Sequence, residues 1–137
     1  MTVMNPTSAE INLAVVDAHM KGEATDPASI MNLYAEGIVL DMPSRHMRLD
    51  TLEAIEDNYR ALFGSIELLS MQPLDRFATN DRVVDDCIVQ FTVTGKGYDK
   101  LPFPVGAIIE MRLLHVFEMK DGKIARETVF ETWTPIQ

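Results

Sequence analysis

Two titratable side chains, His115 and Asp85, lie on predicted strand faces that are otherwise apolar. Alternate residues over 107–119 form one face of a predicted strand, and His115 is the polar member of that face. Over 83–93 the same alternation leaves Asp85 as the polar group. A buried imidazole can relay a proton or polarise a carbonyl, because its pKa lies near neutrality. Two alternatives stay open: His115 is a core histidine bonded to one neighbour, or a bulge next to Asp86 returns Asp85 to water.

A third candidate, Asp41, ends a short predicted strand in the string V-L-D-M-P. A carboxylate in an apolar pocket can act as a general base, because burial raises its pKa toward the working pH. The same carboxylate can instead accept hydrogen bonds from the turn at Pro43-Ser44. The sequence leaves both roles open.

The elements that must position these residues begin with helices, which are predicted in the first half of the chain. The string T-S-A-E at 7–10 is a capping box that opens a helix to about Lys21. Its predicted buried stripe contains Ile11, Val15 and Ala18. Asp26-Pro27 then offers an N-cap followed by proline, which predicts a short helix through Tyr34.

A strand and a third helix follow. Gly37 separates the short helix from a strand over 38–42. Asp50 and Glu53 form a second capping pair, for a helix that runs through Phe63. Gly64 stands where a left-handed residue often ends a helix.

Strands fill the rest of the sequence. Extended segments are predicted over 66–77, 82–94, 107–120 and 123–133. Pro73 marks the first of them as bent or at a sheet edge, and Asp121-Gly122 is a hairpin signal between the last two. The fold class is therefore α+β, with three N-terminal helices around a short strand and then an antiparallel meander.

Composition excludes several classes of function. The chain has 137 residues, 47% of them hydrophobic, and a net charge of −9. Its 12 basic residues are scattered, which argues against nucleic acid as a partner. No apolar run approaches a membrane span, and the single Cys87 cannot form an intramolecular disulfide. We expect one soluble, cytoplasmic domain that has neither a nucleic-acid nor a membrane partner.

Several local strings resemble a known superfamily. I-M-N-L-Y-A-E-G-I-V-L-D-M-P, the helix start D-T-L-E-A-I and F-E-M-K-D-G-K-I-A-R-E-T-V-F-E are similar to nuclear transport factor 2-like proteins. That superfamily includes ketosteroid isomerases, SnoaL-like polyketide cyclases, scytalone dehydratases and limonene-epoxide hydrolases. The resemblance covers about Ile11 to Trp133 and implies one SnoaL-like domain over 1–137. It implies a cone-shaped α+β barrel in which three helices and a curved, mixed or antiparallel sheet enclose an apolar pocket.

The resemblance also implies roles for particular residues. Asp41 matches the aspartate with which isomerases move a proton between two carbons beside a carbonyl. His115 falls at or beside the position of their second, hydrogen-bond-donating acid. Glu131 follows Phe130 where SnoaL-like cyclases carry an aspartate, although a solvated carboxylate at a strand end is the alternative. Asp85 is a lesser candidate for the second acid.

The chain also departs from the family patterns. The first helix has no tyrosine for an oxyanion, so only Tyr34 or Tyr59 could substitute, and each is also a helix-packing residue. The arginine between two carboxylates found in epoxide hydrolases is not matched, since Arg112 and Glu110 point to the outer face. We expect a ligand to contact a set of apolar and aromatic side chains. These are Tyr34, Tyr59, Met111, Phe117, Phe103 and Trp133.

Three functions fit these features. The first is a cofactor-free, metal-free enzyme that performs acid–base chemistry (isomerisation, cyclisation, dehydration or hydrolysis) on a small apolar oxygenated molecule. The second is a pocket protein that binds such a ligand without turnover, and the third is a dimeric interaction module. Apolar residues on the outer strand faces predict a homodimer. The loop over 95–106 is predicted to cover the cavity mouth with Tyr98, Leu101 and Phe103.

Overall fold

The computed structural model describes residues 5–95 and 101–136. Helix α1 (Ser8–Gly22) and α2 (Leu52–Phe63) are joined by two short 3₁₀ helices, Pro27–Leu33 and Pro43–Arg45, and by two strands. The strands are β1 (Tyr34–Met42), β2 (Met47–Leu49), β3 (Ile66–Ala78), β4 (Arg82–Val93), β5 (Ile108–Lys120) and β6 (Lys123–Pro135). The α+β class is as predicted. The short helix ends at Leu33 and β1 begins at Tyr34 instead of residue 38, and β2 was not predicted.

One six-stranded mixed sheet carries the fold, in the order β2-β1-β6-β5-β4-β3. Strands β3 to β6 form an antiparallel meander, whereas β1 runs parallel to β6. Bulges interrupt the pairing of β3 with β4 after Leu68 and Pro73, and such bulges bend a sheet. Strand β3 lies at the edge of the sheet, as Pro73 predicted. The sheet therefore offers one concave face to the helices.

The β5–β6 hairpin sets the register of that concave face. Asp121 and Gly122 both have positive φ, 51° and 75°, as the two central residues of a type I′ turn require. A register shift between Glu118 and Met119 then adds one residue on β6, so that His115 pairs with Val129 and Leu113 with Glu131. The predicted hairpin is confirmed, and it brings the titratable residues of both strands to one face.

The predicted alternation of β4 and β5 is also confirmed. Both strands bury every second residue, including His115 at 3% exposure and Asp85 at 0%. No bulge near Asp86 returns Asp85 to water, since Asp85 pairs with His115 and Asp86 with Leu114 in an unbroken ladder. The core lies between this face and the helices.

Helix α1 is rotated relative to the sequence prediction. Its capping box at Thr7 and Glu10 forms as predicted, but Ile11 is 42% exposed. The buried face instead holds Asn12, Val16, His19 and Met20. The amide of Asn12 donates hydrogen bonds to the carbonyls of Thr79 and Asn80, at 3.2 and 3.0 Å. Polar side chains with partners inside therefore decide which face of the helix is buried.

The ends of α2 also differ from the prediction. Thr51, not Asp50, caps the helix, because its hydroxyl accepts from the backbone of Ala54 at 3.1 Å. Gly64 is right-handed, with φ −72°. A side chain there would approach the carbonyl oxygen of Arg60 to 2.8 Å, so space and not φ favours glycine.

The rotation of α1 generates the first prediction. Val16→Ala should lower the free energy of unfolding by roughly 2 kcal/mol, because it removes apolar atoms from a fully buried site. Ile11→Ala should lower it by about 0.5 kcal/mol or less, because Ile11 is largely exposed. Urea unfolding of both variants measures the two effects. Equal losses would contradict the helix orientation described here.

Candidate active site

A cavity opens between α2 and the concave face of the sheet. Its free space, including the open mouth, is about 590 Å³. Ten of the residues that line it are apolar: Met42, Leu62, Phe63, Ile66, Met71, Val89, Phe91, Met111, Leu113 and Val129. The polar residues on its wall are Glu23, Arg45, Asn58, Tyr59, His115 and Glu131. An apolar cavity with a few convergent polar groups is the usual form of a small-molecule site.

Behind this wall lies a fully buried carboxylate, Glu127 of β6. The hydroxyl of Tyr34 donates to Oε1 at 3.0 Å, and the hydroxyl of Tyr59 donates to Oε2 at 3.0 Å. Nε2 of His19 lies 3.3 Å from Oε1, and Nε2 of His115 lies 3.5 Å from Oε2. Burial alone would raise the pKa of Glu127, but the two imidazoles and the Tyr59 hydroxyl lower it to about 2. Glu127 is therefore ionised at neutral pH.

His19 connects Glu127 to the cavity wall. Its Nε2 lies 2.8 Å from the hydroxyl oxygen of Tyr34. Because that hydroxyl donates its proton to Glu127, Nε2 of His19 must be the donor in this pair. Nδ1 faces Oε2 of Glu23 at 3.7 Å, beyond hydrogen-bond distance.

His115 is held between two carboxylates. Nδ1 lies 3.5 Å from Oδ2 of Asp85, at the outer limit of a hydrogen bond, and Nε2 faces Glu127. Burial alone would lower the pKa of His115, but Asp85 and the charges of Glu23 and Glu127 outweigh burial and raise it. Asp85 is fixed by Arg76, whose Nε donates to Oδ1 at 2.7 Å. Burial would raise the pKa of Asp85, but His115 and Arg76 lower it.

Glu23 brings a different kind of carboxyl to the cavity. It caps the C-terminus of α1, is 3% exposed, and has no hydrogen-bond partner for Oε2 among the described residues. Burial raises the pKa of Glu23 to about 8; the charge of His115 opposes the rise, and Glu127 and Asp85 add to it. Two carboxyl groups whose surroundings push their pKa values apart are a usual sign of acid–base function.

A second polar group lies on the same cavity wall. Nη2 of Arg45 donates to Oε2 of Glu131 at 2.6 Å, and both side chains are 2% exposed. The indole nitrogen of Trp133 lies 3.4 Å from the same oxygen, and the Arg45 guanidinium stands 5.6 Å over the Trp133 ring. Glu131 thus lies inside the cavity and not at a solvated strand end.

The structure does not place Asp41 in the cavity. Leu40 and Met42 are buried on the inner face of β1, so Asp41 between them points to the outer face. There it accepts a hydrogen bond from Arg126 at 3.0 Å. The expectation that Asp41 acts in the cavity beside His115 is therefore wrong, and the carboxyl groups on the cavity wall are Glu23 and Glu131.

The predicted ligand contacts divide into two groups. Tyr59 and Met111 line the cavity. The other four do not line it: Tyr34 is buried against Glu127, Phe117 is stacked on the ring of His115, and Phe103 and Trp133 pack against each other.

Of the predicted lid residues, Phe103 lies near Trp133, the ring over which the Arg45 guanidinium stands. Phe103 packs edge-on against Trp133, with ring centroids 6.4 Å apart. Leu101 is buried in the core. Tyr98 lies outside the described residues, so cover of the cavity mouth by this loop remains a prediction.

Sequence reasoning missed Glu23, His19 and Glu127. Glu127 shares the alternate face of Glu131, four residues earlier on β6, so the strand period could have found it. His19 and Glu23 are spaced i, i+4 on α1, but the predicted stripe had the wrong phase. The period of β6 and the i, i+4 spacing on α1 were both present in the sequence, but only Glu131 was singled out from them.

His19, Glu23 and Glu127 also lie close enough together to be a candidate metal site. Among residues 5–95 and 101–136, His19, Glu23 and Glu127 offer ligand atoms within 4.8 Å of one another. Each oxygen of Glu127 already accepts a tyrosine hydroxyl, and the two nitrogens of His19 face different carboxyls. A single ion would have to displace these bonds, so the arrangement fits an acid–base network better than a cation site.

Comparison with known proteins places the chain in a family. Residues 9–127 match the model of the SnoaL-like domain, and the chain belongs to that family. No curated protein matches it significantly by sequence. No described helix is long and apolar enough to cross a membrane.

Solved structures show the same cone-shaped fold at low sequence identity. A candidate polyketide cyclase from Xanthomonas campestris pv. campestris has 19% identity and a TM-score of 0.73, over 90% of this chain and 92% of that chain. An NTF2-like protein from Burkholderia xenovorans has 14% identity and a TM-score of 0.73, over 94% and 93%. An LEH-like epoxide hydrolase from M. tuberculosis has 12% identity and a TM-score of 0.69, over 90% and 84%. The suspected superfamily is confirmed.

The raised pKa of Glu23 predicts how stability depends on pH. Between its ordinary value of 4.5 and about 8, the folded protein holds a proton that the unfolded chain has released. The free energy of unfolding should therefore fall as the pH rises through this window, by up to roughly 1 kcal/mol per pH unit. Glu23→Gln should remove this fall, so the variant should gain on the wild type as the pH rises. Urea titrations at several pH values measure the difference.

Glu36→Gln is the matched control, because Glu36 is an exposed glutamate on β1. Its stability curve should parallel that of the wild type. A Glu23→Gln curve that also parallels the wild type would mean that Glu23 is ionised in the folded protein.

Proposed function

We propose that the chain is an acid–base enzyme that moves protons on a small apolar oxygenated molecule without a cofactor. The observation that carries the proposal is Glu23, a carboxyl with a pKa of about 8 on the wall of an apolar cavity. A general acid or base works best when its pKa lies near the working pH. The family and its isomerase-type, cyclase and epoxide hydrolase neighbours support an enzyme of this general type.

In the proposed reaction, Glu23 exchanges a proton with the bound molecule. In its ionised form the carboxylate takes a proton from the carbon beside a carbonyl, and the electron pair moves onto the carbonyl oxygen. The same carboxyl then returns the proton to carbon. Because the apolar wall destabilises the ionised form, that form is a stronger base than an exposed glutamate.

The groups around Glu23 stabilise the negative charge that develops. His115 lies on the cavity wall between Asp85 and Glu127, whose carboxylates raise its pKa and so favour its cationic form. The amide of Asn58 is on the same wall. Such charges are effective because they are already oriented before the reaction begins. Glu127 and Asp85 are therefore positioning residues that act through His115.

Hydrogen exchange into a simple ketone tests the proposal. The native protein should accelerate the transfer of deuterium from D₂O into the methyl group of acetophenone, followed by proton NMR. Glu23→Gln should lower this rate by roughly a hundredfold or more, the usual share of one acid–base group. His115→Gln should lower it less, because Glu23 remains. The wild-type rate should increase with pH through about 8, where half of the Glu23 carboxyls are ionised, and level off above that pH.

Two further variants separate the alternatives. Glu36→Gln should exchange as fast as the wild type. If Asp41→Asn abolishes exchange and Glu23→Gln does not, the base is Asp41 and this proposal fails. Binding of acetophenone without any accelerated exchange would instead support a pocket protein that performs no turnover.

We also propose that the chain pairs with a second copy through the outer face of its sheet. Phe130 is 44% exposed there and stands opposite Leu114 on β5. Phe77 is 49% exposed and stands opposite Val84 on β4. Exposed apolar side chains on one sheet face are better buried against the same face of a copy, related by two-fold symmetry.

Light scattering at micromolar concentration should give the mass of a dimer. Phe130→Glu should shift the protein toward monomer, because it places charge in the interface. Val105→Glu is the control, since Val105 is also exposed (50%) but lies in a loop off that face. A monomeric wild type would overturn the assembly proposal.

A further inference from the structure

The cavity contains a second carboxylate with one oxygen unused. Oε2 of Glu131 accepts from Arg45 and faces the indole nitrogen of Trp133. Oε1 is buried and has no hydrogen-bond partner among the described residues. The backbone N–H of Glu131 donates a hydrogen bond to the hydroxyl oxygen of Ser44 at 3.0 Å. Glu131 is thus fixed on three sides and leaves one acceptor available at the cavity wall.

A buried acceptor without a donor is costly, and a ligand that supplies the donor removes the cost. The carboxylate of Glu131, paired with the Arg45 guanidinium, can only accept hydrogen bonds. A hydroxyl group is the donor that an otherwise apolar molecule most simply provides. A methoxy group at the same place offers no proton and would leave Oε1 unsatisfied.

The strand register gives the spacing of this acceptor from the proposed reacting centre. His115 stands opposite Val129, and Glu131 stands opposite Leu113, two residues further along both strands. Two residues on a strand span about 7 Å. Leu113 beside Glu131 and Val129 beside His115 are both apolar and line the same wall. The cavity wall therefore has polar groups at two places about 7 Å apart along the strands, each with an apolar side chain next to it.

We propose that Glu131, held by Arg45 and Trp133, forms a subsite for a hydroxyl group, so that the ligand is a compact apolar molecule with a carbonyl at one end and a hydroxyl at the other. The carbonyl end lies at Glu23 and His115, and the hydroxyl end donates to Oε1 of Glu131. This assignment of the substrate class rests on the proposed function, because that function places the carbonyl at Glu23.

Three related ketones test the subsite with the native protein alone. Para-hydroxyacetophenone, para-methoxyacetophenone and acetophenone share one frame and differ in the far group. Calorimetric titration below the pKa of the phenol should show the hydroxy compound binding about tenfold or more tightly than the methoxy compound, the usual effect of a hydrogen bond to a charged acceptor. Acetophenone should also bind more weakly than the hydroxy compound. Equal binding, or preference for the methoxy compound, would overturn the proposal.

A variant assigns the preference to Glu131. Glu131→Gln should reduce the ratio of the two dissociation constants to about threefold or less, because the charge on the acceptor is lost. Glu110→Gln, on the outer face of β5, should keep the wild-type ratio. Thermal unfolding checks that both variants fold. If Glu131→Gln does not fold, the wild-type ratio alone decides.

The two proposals fail in different ways. If acetophenone exchanges deuterium and the hydroxyl preference is missing, the subsite is wrong and the acid–base function stands. If the hydroxyl preference is present and depends on Glu131 but no ketone exchanges, the subsite stands and the catalytic proposal fails. A preference that persists in folded Glu131→Gln places the hydroxyl elsewhere in the cavity.

Discussion

The architecture depends on one buried charge, the carboxylate of Glu127. An ionised carboxylate inside a protein costs several kcal/mol unless hydrogen bonds and opposite charge offset the loss of water. Here the offset comes from four different elements: His19 on α1, Tyr34 at the start of β1, Tyr59 on α2 and His115 on β5. Each of these elements must approach the same point of β6. The buried carboxylate thus accounts for how the helices are seated on the sheet.

The charge of Glu127 also makes the two carboxyl groups, Glu127 and Glu23, differ in how they ionise. Glu127 is stabilised as an anion by donors on both oxygens, and it cannot leave that state at neutral pH. Glu23 lies near that anion with no donor for Oε2, so its own ionised form is disfavoured. The charges of Glu23 and Glu127, together with Asp85, raise the pKa of His115 and so favour a cation beside these carboxyls. This one arrangement therefore gives a carboxylate behind the cavity wall that stays charged, Glu127, and a carboxyl on the wall that titrates, Glu23.

Much of the fold was predictable because strand patterns are local. Alternation predicted the inner face of β4 and β5, with Asp85 and His115 on it, and Asp121-Gly122 predicted the hairpin between β5 and β6. The one-residue register shift beyond the turn, which puts Glu127 and Glu131 on the same face as His115, was not predicted. The error at Asp41 came from matching a family string instead of the same alternation. The period of β1 buries Leu40 and Met42, so it excludes Asp41 from the cavity.

The candidate site was harder to predict because its parts are remote in sequence and polar. The apolar stripe of α1 gave the wrong phase, since the helix buries Asn12 and His19 in preference to Ile11. A polar side chain is buried only when its partner is present, and those partners lie in the turn between β3 and β4 and on β1 and β6, which no local pattern reveals. His19 therefore became visible as an inner residue only with Glu127 in place.

The stability that Glu23 and Glu131 cost the folded protein is itself an argument that the site has a function. A carboxyl at Glu23 whose ionised form is disfavoured, and a carboxylate oxygen at Glu131 without a donor, both reduce the free energy of unfolding relative to apolar side chains of similar size. Neither residue is needed to complete the sheet, and both face the same cavity. Proteins keep such local costs where a bound molecule or a reaction uses them. Among the described residues, Glu23 and Glu131 are the two that line the cavity with a buried carboxyl oxygen lacking a hydrogen-bond partner, which is why the proposed ligand is assigned to them.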